Sequence, residues 1–489
     1  MTVGRVLPVH DETREDAGPA ARRRIGLDAV ACVVLYALVA VVYLLVVRSA
    51  DVQQMLTGEE ATVTFVDPVA LEQRFQYTHY STNFGGHVFF WLASLLDPSF
   101  DLFYGRAAKA IALALAAPLV YLTLRRRLGT ARVPAVVGAL TGALLPGVVS
   151  FSWVGIETGL DSVLGLAGLL VATTARRWWW LAPVLAGLAV SSYGGGIPWA
   201  AAIGAVALAR LVVSLRRREF VPAALLVVAG LAGIGVIVFP LLWWGGGVVL
   251  SGGGTLGLAG ARGALAGLAR ELAVAGDSYY YFTSQAALGS TALAVVVLVA
   301  TVVMIVRRPG SWPWLLVVVV TLALYAVSGG VLGVRRAVSI PLVGAIAIGY
   351  LVDRIRARAR DRSRILAAVS VAVAAVALIA PLAVQVQQNR VALSSGEEAL
   401  PRDFVFPGAE GETMPQTLDR LADRIREDPA AMDRIATEFE AERAFSMILL
   451  LDERGAIAPT PLTGRIVEDY YFVGPRCDLV CGERVDGRP

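Results

Sequence analysis

Two adjacent carboxylates, Glu59 and Glu60, stand in "TGEEATVTFVDP", with Asp67 shortly after. A carboxylate can take the proton from a hydroxyl as general base, and it can also be a plain solvated loop acid. Close behind comes "FQYTHYSTNFGGH", Phe75 to His87. It holds His79 and His87, two of the three histidines of the chain, and Asn83, one of its two asparagines. Two imidazoles alone make an incomplete metal site. Hydrogen bonding to a sugar or to loop backbone is the other use for them. Further on, "SWVGIETGLDSVLGL" places Glu157 and Asp161 four residues apart. They share one helical face if the helix begins by Glu157. Carboxylates also favour a helix start without any chemistry. In "AGDSYYYFTSQ", the rings of Tyr279, Tyr280 and Tyr281 suit sugar faces or an aromatic belt at a membrane surface. In "SGGVLGVRRAVS", Arg335 and Arg336 can clamp a phosphate through paired charged hydrogen bonds or reach for lipid phosphates as anchors.

These residues need elements to hold them, and the composition says which kind. Of 489 residues, 56% are hydrophobic and 17% charged, with mean hydropathy +0.65. Soluble domains are usually about 45–50% apolar. The charges cluster, and between the clusters lie apolar runs of roughly 15–22 residues, near the ~20 that cross a bilayer core. Eleven runs follow: 26–47, 107–124, 133–150, 160–175, 178–194, 198–215, 221–244, 287–306, 312–327, 338–352 and 365–386. The expected fold class is an all-α polytopic membrane protein of about 11 transmembrane helices. The first run is longer than the ~7–15 apolar residues of a signal peptide, so it reads as an uncleaved anchor.

The arginines orient the runs. With a cytoplasmic N-terminus, the inner loops hold Arg22–Arg24, Arg125–Arg127, Arg176–Arg177, Arg216–Arg218, Arg307–Arg308 and the run from Arg354 to Arg364. The outer loops are poor in arginine except at Arg335 and Arg336. This is the positive-inside pattern, loop after loop. The net charge of +4 is thereby explained without a nucleic-acid partner. The chain divides into a cytoplasmic tail, 1–25, a membrane domain, 26–386, and an outer C-terminal domain, 387–489, in the cytoplasmic membrane of a bacterial cell envelope. The run "RRWWW", Arg176 to Trp180, reads as an anchor at the inner interface.

All the candidate residues then fall on the outer side. The first outer loop, 48–106, is the longest between spans, and loops beyond about 12–15 residues are usually functional or disordered. It contains "HVFFWLASLL", too short to span, which fits an interfacial helix from Val88 with Trp91 among the headgroups. "SYGGGIPW" and "WWGGGVVLSGGGTLG" lack the context of a nucleotide site and suit loop bending or close helix packing. The C-terminal region has apolar residues at helical spacing in "PQTLDRLADRIRED" and is expected to form a small mixed α/β domain. Cys477 and Cys481 lie close together there, in an oxidising compartment by this topology, which suits a local disulfide. Acid, phosphate clamp and aromatic platform on one membrane face point to a lipid-linked phosphosugar as substrate.

The sequence also resembles the GT-C glycosyltransferases that use polyprenyl-phosphate sugars, of the protein O-mannosyltransferase and aminoarabinose-transferase type. "GEEATVTF" resembles the acidic motif of the family's first outer loop. "THYSTNFGGHVFFWLASLLDPSFDLFYGRAAKAIALALAAPLVYLTLRRRLG" resembles the segment that follows, with its jaw helix and an Arg opening the second span. "IETGLDSVLGLAGLL" resembles the acid-bearing second outer turn, and "GVRRAVSIPLV" loosely matches an outer Arg before a late span. The family acid is usually Asp, so either Glu59 or Glu60 would take its place. The family's cation near the third outer turn is missing from "SSYGGGIPW". The resemblance implies an inverting transfer of sugar from a polyprenyl-phosphate donor to a glycan, lipid or protein acceptor. Glu59 or Glu60 would be the catalytic base. His79, Asn83, His87, Glu157, Asp161, Tyr280, Arg335 and Arg336 would bind substrate. Members differ in whether they use a divalent metal, and the sequence requires none. An envelope transporter or flippase, or a non-catalytic assembly protein, is the other class of reading. The absence of a convincing internal repeat tells against the transporter.

Overall fold

The computed structural model of the protein describes residues 19–51, 84–96, 102–174, 178–244, 258–274, 286–327 and 334–395, with short pieces between 419 and 472. Each of the eleven apolar runs carries a helix. The first is α1 (Pro19–Asp51). A short helix, α2 (Phe84–Ser94), precedes the second run. That run is built from α3 (Leu102–Leu113) and α4 (Ala116–Leu122), closed by a π-turn, Thr123–Arg127. Next come α5 (Arg132–Leu144) with the single turn α6 (Pro146–Val149), then α7 (Leu160–Thr174), α8 (Ala182–Ser192), α9 (Ile197–Arg216) and α10 (Phe220–Trp244). After α11 (Leu258–Ala273) follow α12 (Thr291–Arg307), α13 (Trp312–Val327), α14 (Ser339–Arg360) and α15 (Arg364–Ser395). Six of these stretches are long and apolar enough to cross a membrane, and four shorter apolar helices accompany them.

Local sequence sets the boundaries. Pro183 and Pro198 stand in the first turns of α8 and α9, where a missing N–H costs nothing and the fixed φ is already helical. Ser290 caps α12, its hydroxyl accepting from Leu293 N at 3.2 Å. The short helix expected from Val88 begins at Phe84. The pair Gly85–Gly86, which weakens an isolated helix, is held because it packs flat on its neighbour. An added Cβ at Gly85 would lie 2.7 Å from Ser191 Oγ and 2.8 Å from Ser192 Oγ on α8. Phe90 of α2 is buried while Leu92, and Leu95 and Leu96 just after the helix, are exposed. α11 was not among the eleven runs. Its apolar face is narrow: Ala264 and Leu268 are buried, and its other positions are mostly exposed.

α14 is the axis of the bundle. From Pro341 to Tyr350 every residue is buried, as expected of a helix apolar all round. α5 meets it through glycine: an added Cβ on Gly349 would lie 3.3 Å from Gly138 Cα. α10, α12 and α15 form the rim. They turn Val228, Leu231, Val295, Leu298, Val369 and Val373 outward. Exposed apolar rows on apolar helices face lipid, since lipid tails are as apolar as those side chains.

The two ends of the bundle differ. At one end Asp28 accepts from Tyr121 Oη at 2.9 Å, Arg125 Nε at 3.3 Å and Arg132 Nε at 2.8 Å. Arg127 donates to Gly310 O at 2.9 Å, and Asp353 accepts from Ala131 N at 3.3 Å and Arg356 Nε at 3.0 Å. Loops assigned to one side by the arginine pattern thus touch one another. At the other end Gly147 N donates to Ala287 O at 2.8 Å, Gln385 Nε2 to Gly289 O at 2.7 Å and Arg390 Nε to Ser49 Oγ at 3.3 Å. In the C-terminal region the described residues between 419 and 428 are helical or follow directly. β1 (Arg465–Val467) pairs antiparallel with β2 (Tyr470–Phe472), Ile466 facing Tyr471. Cys477 and Cys481 lie outside the described residues.

Candidate active site

The end opposite the arginine clusters gathers charge that the apolar bundle would otherwise exclude. Lys109 and Arg106 lie one turn apart on α3 and are fully buried. Lys109 Nζ donates to Val154 O at 3.0 Å and stands 6.0 Å from the Phe151 ring centre. The Arg106 guanidinium lies 5.6 Å from the Trp153 ring centre. The 150–160 segment between α6 and α7 therefore wraps both cations, supplying a carbonyl to one and aromatic faces to both.

Glu157 and Asp161 are buried beside them, 4% and 1% exposed. Asp161 lies within electrostatic reach of Lys109. Isolated buried charges cost several kcal/mol each in order-of-magnitude terms, so acids and cations in one buried region stabilise one another. The sequence reading made a shared helical face conditional on a helix starting by Glu157. The helix instead starts at Leu160, because Gly159 adopts φ +95°, a conformation that closes no helix and suits glycine. Asp161 Oδ1 accepts from Gly159 N at 2.9 Å. The carboxylate thus braces the turn that starts α7, while its other oxygen faces Gly195.

That glycine belongs to the turn Gly194–Gly196 between α8 and α9. A Cβ at Gly195 would collide with Asp161 Oδ2 and lie 3.2 Å from Arg336 O. Close backbone approach is thus the use of "SYGGGIPW". The turn, which has no cation of its own, receives one from elsewhere. Arg336, on the 3-10 turn Val334–Ala337 ahead of α14, sets its guanidinium 5.8 Å from the Tyr193 ring centre. Its Nε is buried without a hydrogen-bond partner among the described residues. A buried donor left unpaired is costly, and an anionic ligand would satisfy it. α2 closes the cluster from outside, with Gly86 packed directly on the Glu157 side chain.

Of the residues expected to act, Glu157, Asp161 and Arg336 come together here. His87 lies on α2 by its backbone, and Arg335 precedes Arg336 on the same turn; their side chains are outside the described residues. Glu59, Glu60, His79, Asn83 and Tyr280 also lie outside them. Sequence reasoning left out Lys109, Trp153 and Tyr193, and carried Arg106 only as the Arg opening the second span. Lys109 carried a usable signal, being the sole lysine and lying within an apolar run, where an ionisable residue is expensive and usually functional. Among the described residues no group of three or more His, Cys, Asp or Glu side chains could hold a metal ion.

No protein-family model matches the chain, and no curated protein matches it in sequence. Solved structures do match in shape. ArnT from Cupriavidus metallidurans, solved bound to undecaprenyl phosphate, superposes with TM-score 0.51 at 14% identity, over 89% of this chain and 83% of its own. The archaeal oligosaccharyltransferase AglB from Archaeoglobus fulgidus, in complex with an inhibitory peptide and a dolichol-phosphate, gives TM-score 0.47 and 15% identity, over 85% of this chain and 59% of its own. That second likeness is too slight to weigh. At 14% identity the likeness to ArnT is one of fold, and it agrees with the resemblance carried by the motifs: the chain has the GT-C fold.

Proposed function

We propose that the chain is a membrane glycosyltransferase. It moves a sugar from a polyprenyl-phosphate donor to an acceptor hydroxyl at the outer face of the cytoplasmic membrane. The observation that carries this reading is the cluster of buried Lys109, Glu157 and Asp161 with half-buried Arg336 at one end of a GT-C bundle. ArnT, the structure of like fold, was solved with a polyprenyl phosphate bound. Here the donor phosphate would meet Arg336, whose buried Nε has a hydrogen bond to give. Glu157 and Asp161 would face the sugar or the acceptor, and the α2 jaw would close over them, carrying His87.

The chemistry is an inverting displacement. The acceptor oxygen attacks the anomeric carbon and the bond from that carbon to the phosphate oxygen breaks. The acceptor proton passes to Glu59 or Glu60, and polyprenyl phosphate leaves with its charge held by Arg336. His79, Asn83 and Tyr280 would complete the pocket from the loops, with Arg335 beside Arg336.

The test uses the purified full chain in liposomes with polyprenyl-phosphate sugars as donors. Replacing Glu59→Gln and Glu60→Gln separately should cost one variant about 10²-fold or more in transfer, the scale of a lost general base. Full activity in both variants rejects the base assignment. No transfer by the intact protein from any such donor rejects the function.

A further inference from the structure

The opposite end of the bundle carries a second feature that sugar transfer does not use. The three arginines of the π-turn Thr123–Arg127 take three different directions. Arg125 turns inward, donating to Asp28 and, at 2.6 Å, to Thr130 O. Arg127 crosses to Gly310 O at 2.9 Å. Arg126 alone of the three is exposed, and it lines a groove of about 320 Å³ with Leu122, Leu170 and Thr174. One wall is α4 and its π-turn, and the other is the last turn of α7. The π-turn follows an apolar helix and delivers a guanidinium to a recess lined, among the described residues, by Leu122, Leu170 and Thr174.

The depth of the groove is marked independently. The chain leaving α7 runs into Trp178, Trp179 and Trp180. Trp178 is 60% exposed, and the Arg210 guanidinium stacks 5.0 Å from the Trp179 ring centre. Exposed tryptophans at the end of apolar helices settle at the level of lipid headgroups. The groove thus combines an exposed cation at headgroup depth with the apolar side chains of Leu122 and Leu170.

We propose that this groove is a binding site for an anionic phospholipid. The phosphate of its headgroup would pair with Arg126 and the start of an acyl chain would lie along Leu122 and Leu170. Charge complementarity and the apolar walls of Leu122 and Leu170 select a lipid over a free anion, which gains nothing from those walls. The site is separate from the Lys109–Arg336 cluster, so its occupancy and the transfer reaction can fail independently.

The test measures phosphatidylglycerol retained by the full chain in nanodiscs of mixed phosphatidylcholine and phosphatidylglycerol, by native mass spectrometry. Arg126→Gln should lower retention about fivefold, the order expected for one basic residue at a membrane surface. Arg126→Lys should keep most of it, and inorganic phosphate at matched ionic strength should not displace the lipid. Arg362→Gln, exposed elsewhere and outside the groove, should leave retention unchanged. Unchanged retention in Arg126→Gln, equal loss in Arg362→Gln, or displacement by inorganic phosphate would each overturn the proposal.

Discussion

At the residue scale, what could be read from the sequence was charge in the wrong place. Glu157, Asp161 and Arg336 stood out because apolar runs and an arginine-poor side make any ionised group conspicuous. The structure brings these three together. What could not be read was partnership. Tyr193 and Arg336 meet although five helices, α9 to α13, lie between them in sequence, and no periodicity links them. Lys109 shows the same gap: its identity was visible, its bond to Val154 O was not. Removing that ammonium would leave a buried carbonyl unpaired and take a countercharge from Asp161. Lys109→Met should destabilise the protein by about 3 kcal/mol, the scale of breaking a buried ion pair from one side. A thermal midpoint equal to wild type would show that the pairing contributes nothing. Gly195→Ala tests the crowding between Asp161 and Arg336. A new Cβ there cannot fit without moving the turn, and overpacking of this kind costs roughly 1–3 kcal/mol. Transfer activity should fall sharply with it. Gly194→Ala, whose Cβ would sit 3.7 Å from Arg336 Nε, is the matched control and should keep both stability and activity.

At the element scale, the helices were legible because apolar length is a strong signal, while their ends were not. α2 begins four residues earlier than expected because Gly85 and Gly86 dock on α8, a tertiary effect that overrides propensity. α11 was missed because its apolar face is narrow and its surroundings are rich in glycine. Helix contacts made through backbone were legible only as an excess of small residues. α8 and α10 touch where a Cβ on Gly187 would run into Gly233 O, and one on Gly233 into Pro183 O. Such contacts let helices pack closely in lipid, where no hydrophobic force holds them together. Gly187→Leu should therefore separate α8 from α10 and lower the thermal midpoint, by about 1–3 kcal/mol in stability terms. Gly230→Leu, on α10 but facing open space, should change little. Equal effects from both would mean that side-chain bulk alone, rather than the backbone contact, sets the cost.

At the scale of the whole molecule, the arginine pattern gave an alternation of loops, and the bundle sorts its ends as that alternation requires. Asp28, Arg125, Arg132, Gly310 and Asp353 form one connected end, although they come from five different stretches of chain. The site end collects Gly147, Ala287, Gly289, Gln385 and Arg390 in the same way. Such sorting makes a sharp prediction about sidedness in a living membrane. Positive charge resists translocation, so the end that carries the clusters is expected in the cytoplasm and the site end outside. Two exposed positions report on this, Val274 after α11 at the site end and Arg362 between α14 and α15 at the arginine end. In a background where Cys32, Cys477 and Cys481 are replaced by Ser, Val274→Cys should react with a membrane-impermeant maleimide in intact cells. Arg362→Cys should react only after the membrane is opened. Labelling of both from outside would break the alternation of spans. Labelling of Arg362→Cys alone would invert the molecule and put the cluster of Lys109, Glu157, Asp161 and Arg336 on the cytoplasmic side.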